Sequence, residues 1–412
     1  MNAVELGHSG GSQCSMPSLP PLSLYVHLPW CVRKCPYCDF NSHAAPSVLP
    51  QHEYIDALIE DLVCDREWAQ ERELISIFFG GGTPSLFSPE EIARFLEGVR
   101  VNFRLCPDIE ITLEANPGAV ERGSFGAYRA AGINRVSLGA QSFGERHLRL
   151  LGRIHAANDI ERAVDDLARG GIENFNLDLM YALPEQTIEE SLADLDRALA
   201  LAPTHLSHYQ LTLEPGTVFY HRPPALPDDD SAWDMQERCQ ERLAAAGYRQ
   251  YEVSGYAREG ARCEHNLNYW RFGDYLGVGA GAHGKITRVH DGQIVRTRRT
   301  GQPRTYLALP ARERLEERRV VMPAELPFEF MLNALRLREG FDVALFESRT
   351  GCSLGELARP LREAQARGLI QEREPGTWVP THLGRRFLND LQGFFLPTSL
   401  QRSVTSAPPA SS

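Results

Sequence analysis

Six short apolar runs alternate with amphipathic stretches, and this alternation restricts the fold more than any other feature of the chain. The runs are "LSLYVHLP" (22–29), "LISIFFG" (74–80), "DIEITLEA" (108–115), "INRVSLGA" (133–140), "ENFNLDLMY" (173–181) and "HLSHYQLTL" (205–213). Between them lie segments of helical length, such as "PEEIARFLEGVRVNF" and "NDIERAVDDLARG". Strands separated by helices pair in parallel, because a crossover helix returns the chain to the same end of the sheet. A small repeat supports that unit. "AAGINRV", "RGGIENF" and "AAGYRQY" put Gly132, Gly171 and Gly247 before strands, at spacings of 39 and 76 residues. Glycine suits the left-handed residue that ends a helix. The pattern predicts an α/β fold, a partial (β/α)6-type barrel over residues 21–255, with an open doubly wound sheet as the rival it leaves standing.

The texture changes along the chain. Residues 1–20 and 397–412 are rich in Ser, Gly and Pro, and both read as disordered tails that bury too little to offset their ordering entropy. Residues 256–319 form a glycine-dense segment and a hairpin about Asp291-Gly292. From 320 to 396, helices followed by the Gly-containing "QEREPGTWVPTHLG" predict a smaller winged-helix-like C-terminal domain. Such folds often bind DNA, but residues 341–395 carry seven basic and seven acidic side chains, and the whole chain has a net charge of −11. That balance gives phosphates no footprint, so no nucleic-acid partner is expected and a lid or docking role suits the domain better.

The N-terminal "MNAVELGHSGGSQCSMPSLPP" lacks a basic region and an apolar core, and no run of about 18 apolar residues occurs elsewhere. A cytoplasmic protein without a transmembrane segment is expected. The cysteines number nine, an odd count, and most are scattered, which argues against a disulfide framework. Three cluster in "CVRKCPYCDF": Cys31, Cys35 and Cys38, with Phe40 following. Three thiolates on the loop after the first strand suit a soft metal at the catalytic face of a barrel. Zinc would need a fourth ligand, His43 or Cys64 being nearest. An iron–sulfur cluster would use three cysteines for three irons and leave the fourth open for another group.

The C-x3-C-x2-C spacing, with Tyr37 before its last cysteine, resembles the radical S-adenosylmethionine (SAM) superfamily. The resemblance implies a [4Fe–4S] cluster held by Cys31, Cys35 and Cys38, with SAM on the open iron. The run "GGGTPS" (80–85) lacks the Lys of a phosphate loop. Read alone it is a tight turn with Pro84; by resemblance it is the SAM-binding glycine motif, Gly81, Gly82 and Thr83 holding the amino end. Glu114, Gln141, Arg153 and Asp178 singly read as caps or surface polar groups. Together with Tyr25 they match residues that hold SAM ribose and carboxylate groups in the coproporphyrinogen-oxidase branch.

Oxidases of that branch carry a further cysteine two residues after the trio, where this chain has Phe40. The whole string is instead similar to the HemW family of heme chaperones. "HNLNY" (265–269) matches the HNxxY pattern linked there to heme, implying His265 and Tyr269 as heme-binding residues. A His–Asn pair tying down a loop is the plainer reading of the same letters. The stretch 285–304 carries six basic residues and one acid, suited to heme propionates or to solvation alone. The resemblance implies heme, acceptor hemoproteins, and membrane-associated proteins among the acceptors as partners. Its alternatives are radical oxidative decarboxylation of coproporphyrinogen III, a related radical SAM methyltransferase, and a zinc-stabilised barrel with a regulatory winged helix.

Overall fold

The protein is described by a computed structural model covering residues 16–118 and 124–397. The predicted tails at 1–15 and 398–412, and Cys14 with them, lie outside the described residues. Of the remaining N-terminal tail residues, Ser18 donates through its backbone N–H to the Ser348 carbonyl at 2.8 Å.

Two compact units emerge. The first comprises residues 21–286 and 295–319. Its six predicted strands form β1 (Leu22–Leu28), β2 (Glu73–Gly81), β3 (Arg104–Ala115), β4 (Arg135–Gln141), β5 (Phe175–Tyr181) and β6 (His205–Gln210). They lie side by side in chain order and all pairs are parallel. A doubly wound sheet reverses its strand order at a switch point; this order never turns back, as in a barrel. The sheet nevertheless stays open. Beyond β6 it ends in two short antiparallel strands, β7 (Arg249–Gln250) and β8 (Gly255–Ala257). On the far side of β1 comes a strand that was not anticipated, β9 (Asp274–Val278), parallel to β1. The edge continues through β10 (His283–Arg288), β11 (Gln293–Arg299) and β12 (Leu315–Val320).

Local chemistry accounts for the elements. The helix Ala157–Arg169 buries Ala157, Ile160, Ala163, Val164 and Leu167, a stripe of helical period. Burying an aliphatic side chain of this kind stabilises by about 1.5–3 kcal/mol. Thr187 caps the helix Ile188–Ala200 by accepting from the Glu190 N–H, and Glu190 answers with its carboxylate. Gly132, Gly171 and Gly247 take φ of 122°, 73° and 85°, the left-handed turn their repeat predicts. Along β1 every side chain is buried except Tyr25, as suits a strand covered on both faces.

Charge inside this unit is paired. Asp61 and Asp65, on the helix Gln51–Asp65, meet Arg299 at 3.1 and 2.5 Å. Arg314 and Tyr306 also reach Asp61, and Lys285 pairs with Asp274 at 2.7 Å. Arg298 meets Glu316 and Glu317. Much of the basic character read between 285 and 304 is therefore compensated within the protein, with Lys285 and Arg299 buried outright. Burial of such ions is tolerated only with partners at this range.

The second unit gathers residues 16–20, 287–294 and 320–397 of the described chain. Helices Leu326–Ala334, Val343–Thr350 and Gly355–Ala366 precede a hairpin of Ile370–Glu374 and Thr377–Pro380, joined by a bridge to Phe341–Asp342. Three helices and a wing match the expected winged-helix-like form, and the middle helix is an addition to it. Asp342 caps that helix and Gly351, at φ 73°, ends it. Phe330 packs edge-on against Phe341 and Phe346, at 5.6 and 5.2 Å.

Candidate cofactor site

The cysteine loop begins where β1 ends. Trp30–Cys31 pairs in parallel with His43–Ala44, so the loop is shut at its base. The His43 N–H donates to the Pro29 carbonyl and that of Ala45 to the Cys31 carbonyl. Asn41 fastens the far side, its Nδ2 donating to the carbonyls of Ala280 and Gly301 at 2.9 and 2.8 Å. Cys31, Cys35 and Cys38 then line a cavity of about 420 Å³. Tyr37, Gly81, Gly82, Thr83, Glu114, Gln141, Arg153 and Asp178 line the same cavity. The topology explains much of the convergence: Gly81 and Gln141 end β2 and β4, Glu114 is the penultimate residue of β3 and the cysteines follow β1. Asp178 lies in the middle of β5, and Arg153 comes from the loop after the helix Glu145–Leu150.

The zinc reading finds no fourth ligand among the described residues. His43 turns its Nε2 to Asn41 Oδ1 at 3.1 Å, and neither His43 nor Cys64 lines the cavity. Among the described residues, no three His, Cys, Asp or Glu side chains converge on a point able to hold one ion. Three thiols around a wider space suit a polynuclear cluster instead, whose irons are ligated one by one.

The glycine turn is held against the end of β1. Gly82 N–H donates to Leu28 O and Thr83 N–H to Trp30 O, both at 2.8 Å. Gly81 N–H donates to Glu114 Oε2 at 3.2 Å. With these N–H groups engaged, the turn offers carbonyl oxygens, the right polarity for an ammonium. A Cβ on Gly82 would stand 2.6 Å from the Trp30 carbonyl oxygen. The absence of a side chain is what permits this contact.

A chain of polar contacts stiffens the wall beyond. Asn116 Nδ2 donates to Thr83 Oγ1 at 2.9 Å, and Asn116 Oδ1 accepts from Arg153. Arg153 also donates to the Gly139 carbonyl and reaches Cys35 Sγ at 3.8 Å. Opposite stand two carboxyls. Burial, with Asp178 nearby, pushes Glu114 up to about 8, and burial raises Asp178 against the pull of hydrogen bonds from Asn176, Ser207 and Ser137. Paired acceptors of this kind suit a diol. Gln141 sits at φ 67° where β4 ends, a left-handed conformation costing about 1 kcal/mol or more, and its Oε1 accepts from Tyr209 at 2.6 Å. Asn116 and Tyr209 escaped the sequence reading. Asn116 stands two residues after Glu114 in "EANP"; Tyr209 lies in an alternating strand and carried no signal.

Tyr25, expected among the SAM residues, is not in the lining of that cavity; it faces a second cavity of about 300 Å³, which shares Phe40, Gly81 and Glu114 with the first. Tyr269, Tyr275 and His283 complete its far wall. Phe40 is 59% exposed between the two.

The two residues expected at heme part company here. Glu110, on β3, caps the helix Glu264–Trp270 by accepting from the N–H groups of Glu264 and His265. Tyr269 then reaches the cavity, while His265 lies behind it at 1% exposure. The His265 ring stacks on Phe78 at 4.9 Å and meets Tyr269 edge-on at 4.7 Å. Ser76 Oγ donates to Ser23 Oγ at 2.7 Å and lies 2.9 Å from His265 Nδ1. The hydroxyl proton being used, Nδ1 is the ring's donor, and burial pushes the imidazole down to about 3, so it is neutral. Asn268 ties the same helix down by donating to Ser23 Oγ and the Asp274 carbonyl. His265 and Asn268 thus act as fasteners and Tyr269 as the exposed face.

Residues 25–198 match the model of the radical SAM superfamily and residues 321–387 that of the HemN C-terminal domain. The heme chaperone HemW of Escherichia coli is 50% identical over 381 residues, spanning 92% of this chain and 100% of that protein. HemW of Haemophilus influenzae is 50% identical over 385 residues, with 92% and 99% covered. HemW of Bacillus subtilis is 33% identical over 382 residues, with 91% and 99% covered. The structure of coproporphyrinogen III oxidase (HemN) from Escherichia coli superposes with a TM-score of 0.77 over 92% of this chain and 91% of that one, at 24% identity, and shares the fold. Identity of this extent, along nearly the full length of both partners, establishes that the chain belongs to the HemW family of the radical SAM superfamily.

Proposed function

We propose that this protein is a heme chaperone, binding heme and passing it to acceptor hemoproteins with the help of a [4Fe–4S] cluster and SAM. The observation that carries the reading is the pair of cavities with a common wall at Phe40, Gly81 and Glu114. One is built of thiols and carboxyls, the other of tyrosines, so a cluster with SAM and a flat conjugated ligand would each find a suitable lining.

Cys31, Cys35 and Cys38 would hold three irons. The carbonyls of the Gly81–Thr83 turn would take the SAM ammonium, Arg153 its carboxylate, and Glu114 and Asp178 its ribose hydroxyls, with Gln141 and Tyr37 closing the walls. When bound, the cluster supplies one-electron reduction of the SAM sulfonium. Tyr269 and Tyr25 would flank heme, with His265 setting the position of Tyr269. Phe40 takes the place where the oxidase branch is expected to carry another cysteine, and this turns the reading from porphyrinogen oxidation toward heme handling.

The protein would work in the cytoplasm, where a reducing pool keeps such thiols available; the cysteines among the described residues form no disulfide. No helix of the described residues is long and apolar enough to cross a membrane. Membrane-associated hemoproteins would be among the acceptors. The deciding experiment incubates cluster-loaded protein with coproporphyrinogen III, SAM and reductant, alongside a hemin titration. Hemin binding without protoporphyrinogen is expected. Turnover of the porphyrinogen would overturn the proposal.

A further inference from the structure

Heme iron needs an axial ligand, and the histidines nearest the tyrosine-lined cavity are not equivalent. His27 lines it but uses both ring nitrogens: Nε2 donates to the Asn41 carbonyl and Nδ1 accepts from Tyr25, each at 2.9 Å. His43 is turned to Asn41 and lies outside the lining. His265 is enclosed behind Tyr269, and its bare Nε2 has no hydrogen-bond partner. His283 differs from all three. It lines the cavity, its side chain is exposed, and its ring makes no hydrogen bond among the described residues.

The surroundings suit a planar anion. His283 opens β10 just after the glycine-rich turn, and Gly281 lines the same cavity. At Gly277 a Cβ would stand 2.0 Å from the His283 carbonyl oxygen, so the backbone under the ring is held close against β9. Tyr25, Tyr269 and Tyr275 provide flat aromatic walls. Arg296 donates to the Tyr275 hydroxyl at 2.8 Å and thereby brings a guanidinium beside the cavity wall. Partial enclosure of the ring, with Arg298 and Arg296 close by and Glu317 pulling the other way, also lowers the His283 imidazole from its ordinary value, which favours the neutral form that donates a lone pair to iron.

We propose that His283 is the protein's axial ligand to heme iron in the tyrosine-lined cavity, with Arg296 placed to pair with a propionate. The inference rests on the heme-chaperone reading and assigns the iron contact to His283 instead of His265. An imidazole ligand with carboxylate-pairing arginine nearby is chemically sufficient for such a site.

The test titrates hemin into the full-length, cluster-loaded protein and follows the Soret band and the low-spin ferric EPR signal. His283→Ala should keep the iron and sulfide content of the wild type while losing the imidazole-type spectrum and at least tenfold in affinity. In His283→Gly, added imidazole should restore the spectrum. His265→Ala should retain the imidazole-type signal, even if its affinity falls through a shifted Tyr269. Wild-type spectrum and affinity in His283→Ala would overturn the assignment and leave the chaperone reading intact, as would loss of the imidazole signal in His265→Ala alone. Failure of the wild-type protein to bind hemin would overturn both together.

Discussion

Gly82→Ala is the most direct test of how the glycine turn positions the cysteine loop. The new Cβ would lie 2.6 Å from the Trp30 carbonyl oxygen and 2.8 Å from the Pro29 carbonyl carbon. Both are backbone atoms, so no rotamer relieves the overlap, and ordinary contact requires the turn to retreat by about 0.8 Å. That retreat stretches Gly82 N–H to Leu28 O and Thr83 N–H to Trp30 O, now 2.8 Å each, past hydrogen-bonding range. Two lost backbone bonds at a buried site, at about 1–2 kcal/mol each, predict a loss of about 2–4 kcal/mol. For a unit of this size the melting temperature should fall by about 3–7 °C. Cys31 follows Trp30 directly, so iron incorporation should fall as well. Gly98→Ala is the control: its Cβ would stand 2.9 Å from Ile59, but from a side-chain carbon that can rotate away, and alanine favours the helix. Gly98→Ala should change stability by less than about 1 kcal/mol. Equal melting temperatures for the two variants would refute the reasoning.

Other outcomes follow from the same structure. Cys31→Ala, Cys35→Ala and Cys38→Ala should each lose most iron and sulfide on anaerobic reconstitution while Cys64→Ala retains both; stoichiometric zinc without sulfide would contradict this. Arg299→Met would leave Asp61 and Asp65 facing each other in the core, and thermal unfolding should report a loss of about 3–5 kcal/mol, a change under about 1 kcal/mol counting against the network. Glu114 carries a pKa raised from 4.5 to about 8, so its burial costs nothing below pH 4.5, costs progressively more up to pH 8, and is constant above. Glu114→Gln should therefore gain on the wild type as pH rises from 5 to 8, by roughly 2–4 kcal/mol after allowing for cavity water. Urea unfolding across that range would show it, and a pH-independent offset would rule it out.

The strands were legible because burial on both faces leaves nearly continuous apolar runs, and the helix ends because only glycine takes the left-handed turn easily. The cysteine trio was legible by spacing, whereas the polar wall around Glu114, Gln141, Arg153 and Asp178 came only through family resemblance. Each of these is a lone polar letter in or after a strand or helix, and nothing local distinguishes it from a cap or a surface group. β9 was missed because "DYLGVGAGAHG" is too rich in glycine to read as a parallel strand. The internal partners of the hairpin basics were out of reach for a different reason. A charge count along the chain does not see Asp61 and Asp65, more than two hundred residues away from Arg299 and directly beneath it. His265 illustrates the same limit, since a motif records which residues recur and not which of them faces the ligand.

The position of β1 has a consequence for how the protein is made. β1 is hydrogen-bonded on one side to β2 and on the other to β9, which is translated about 250 residues later. The cysteine loop waits longer still, because Asn41 is secured by Ala280 and Gly301. At about 5–20 residues per second, roughly 12–50 s separate the emergence of the three cysteines from that of their last anchors. During that interval the thiols are on the ribosome, reduced, unshielded and without a defined cavity. Cluster delivery to this chain is therefore expected to be a late, post-translational event, made to the completed sheet and not to the nascent cysteine segment.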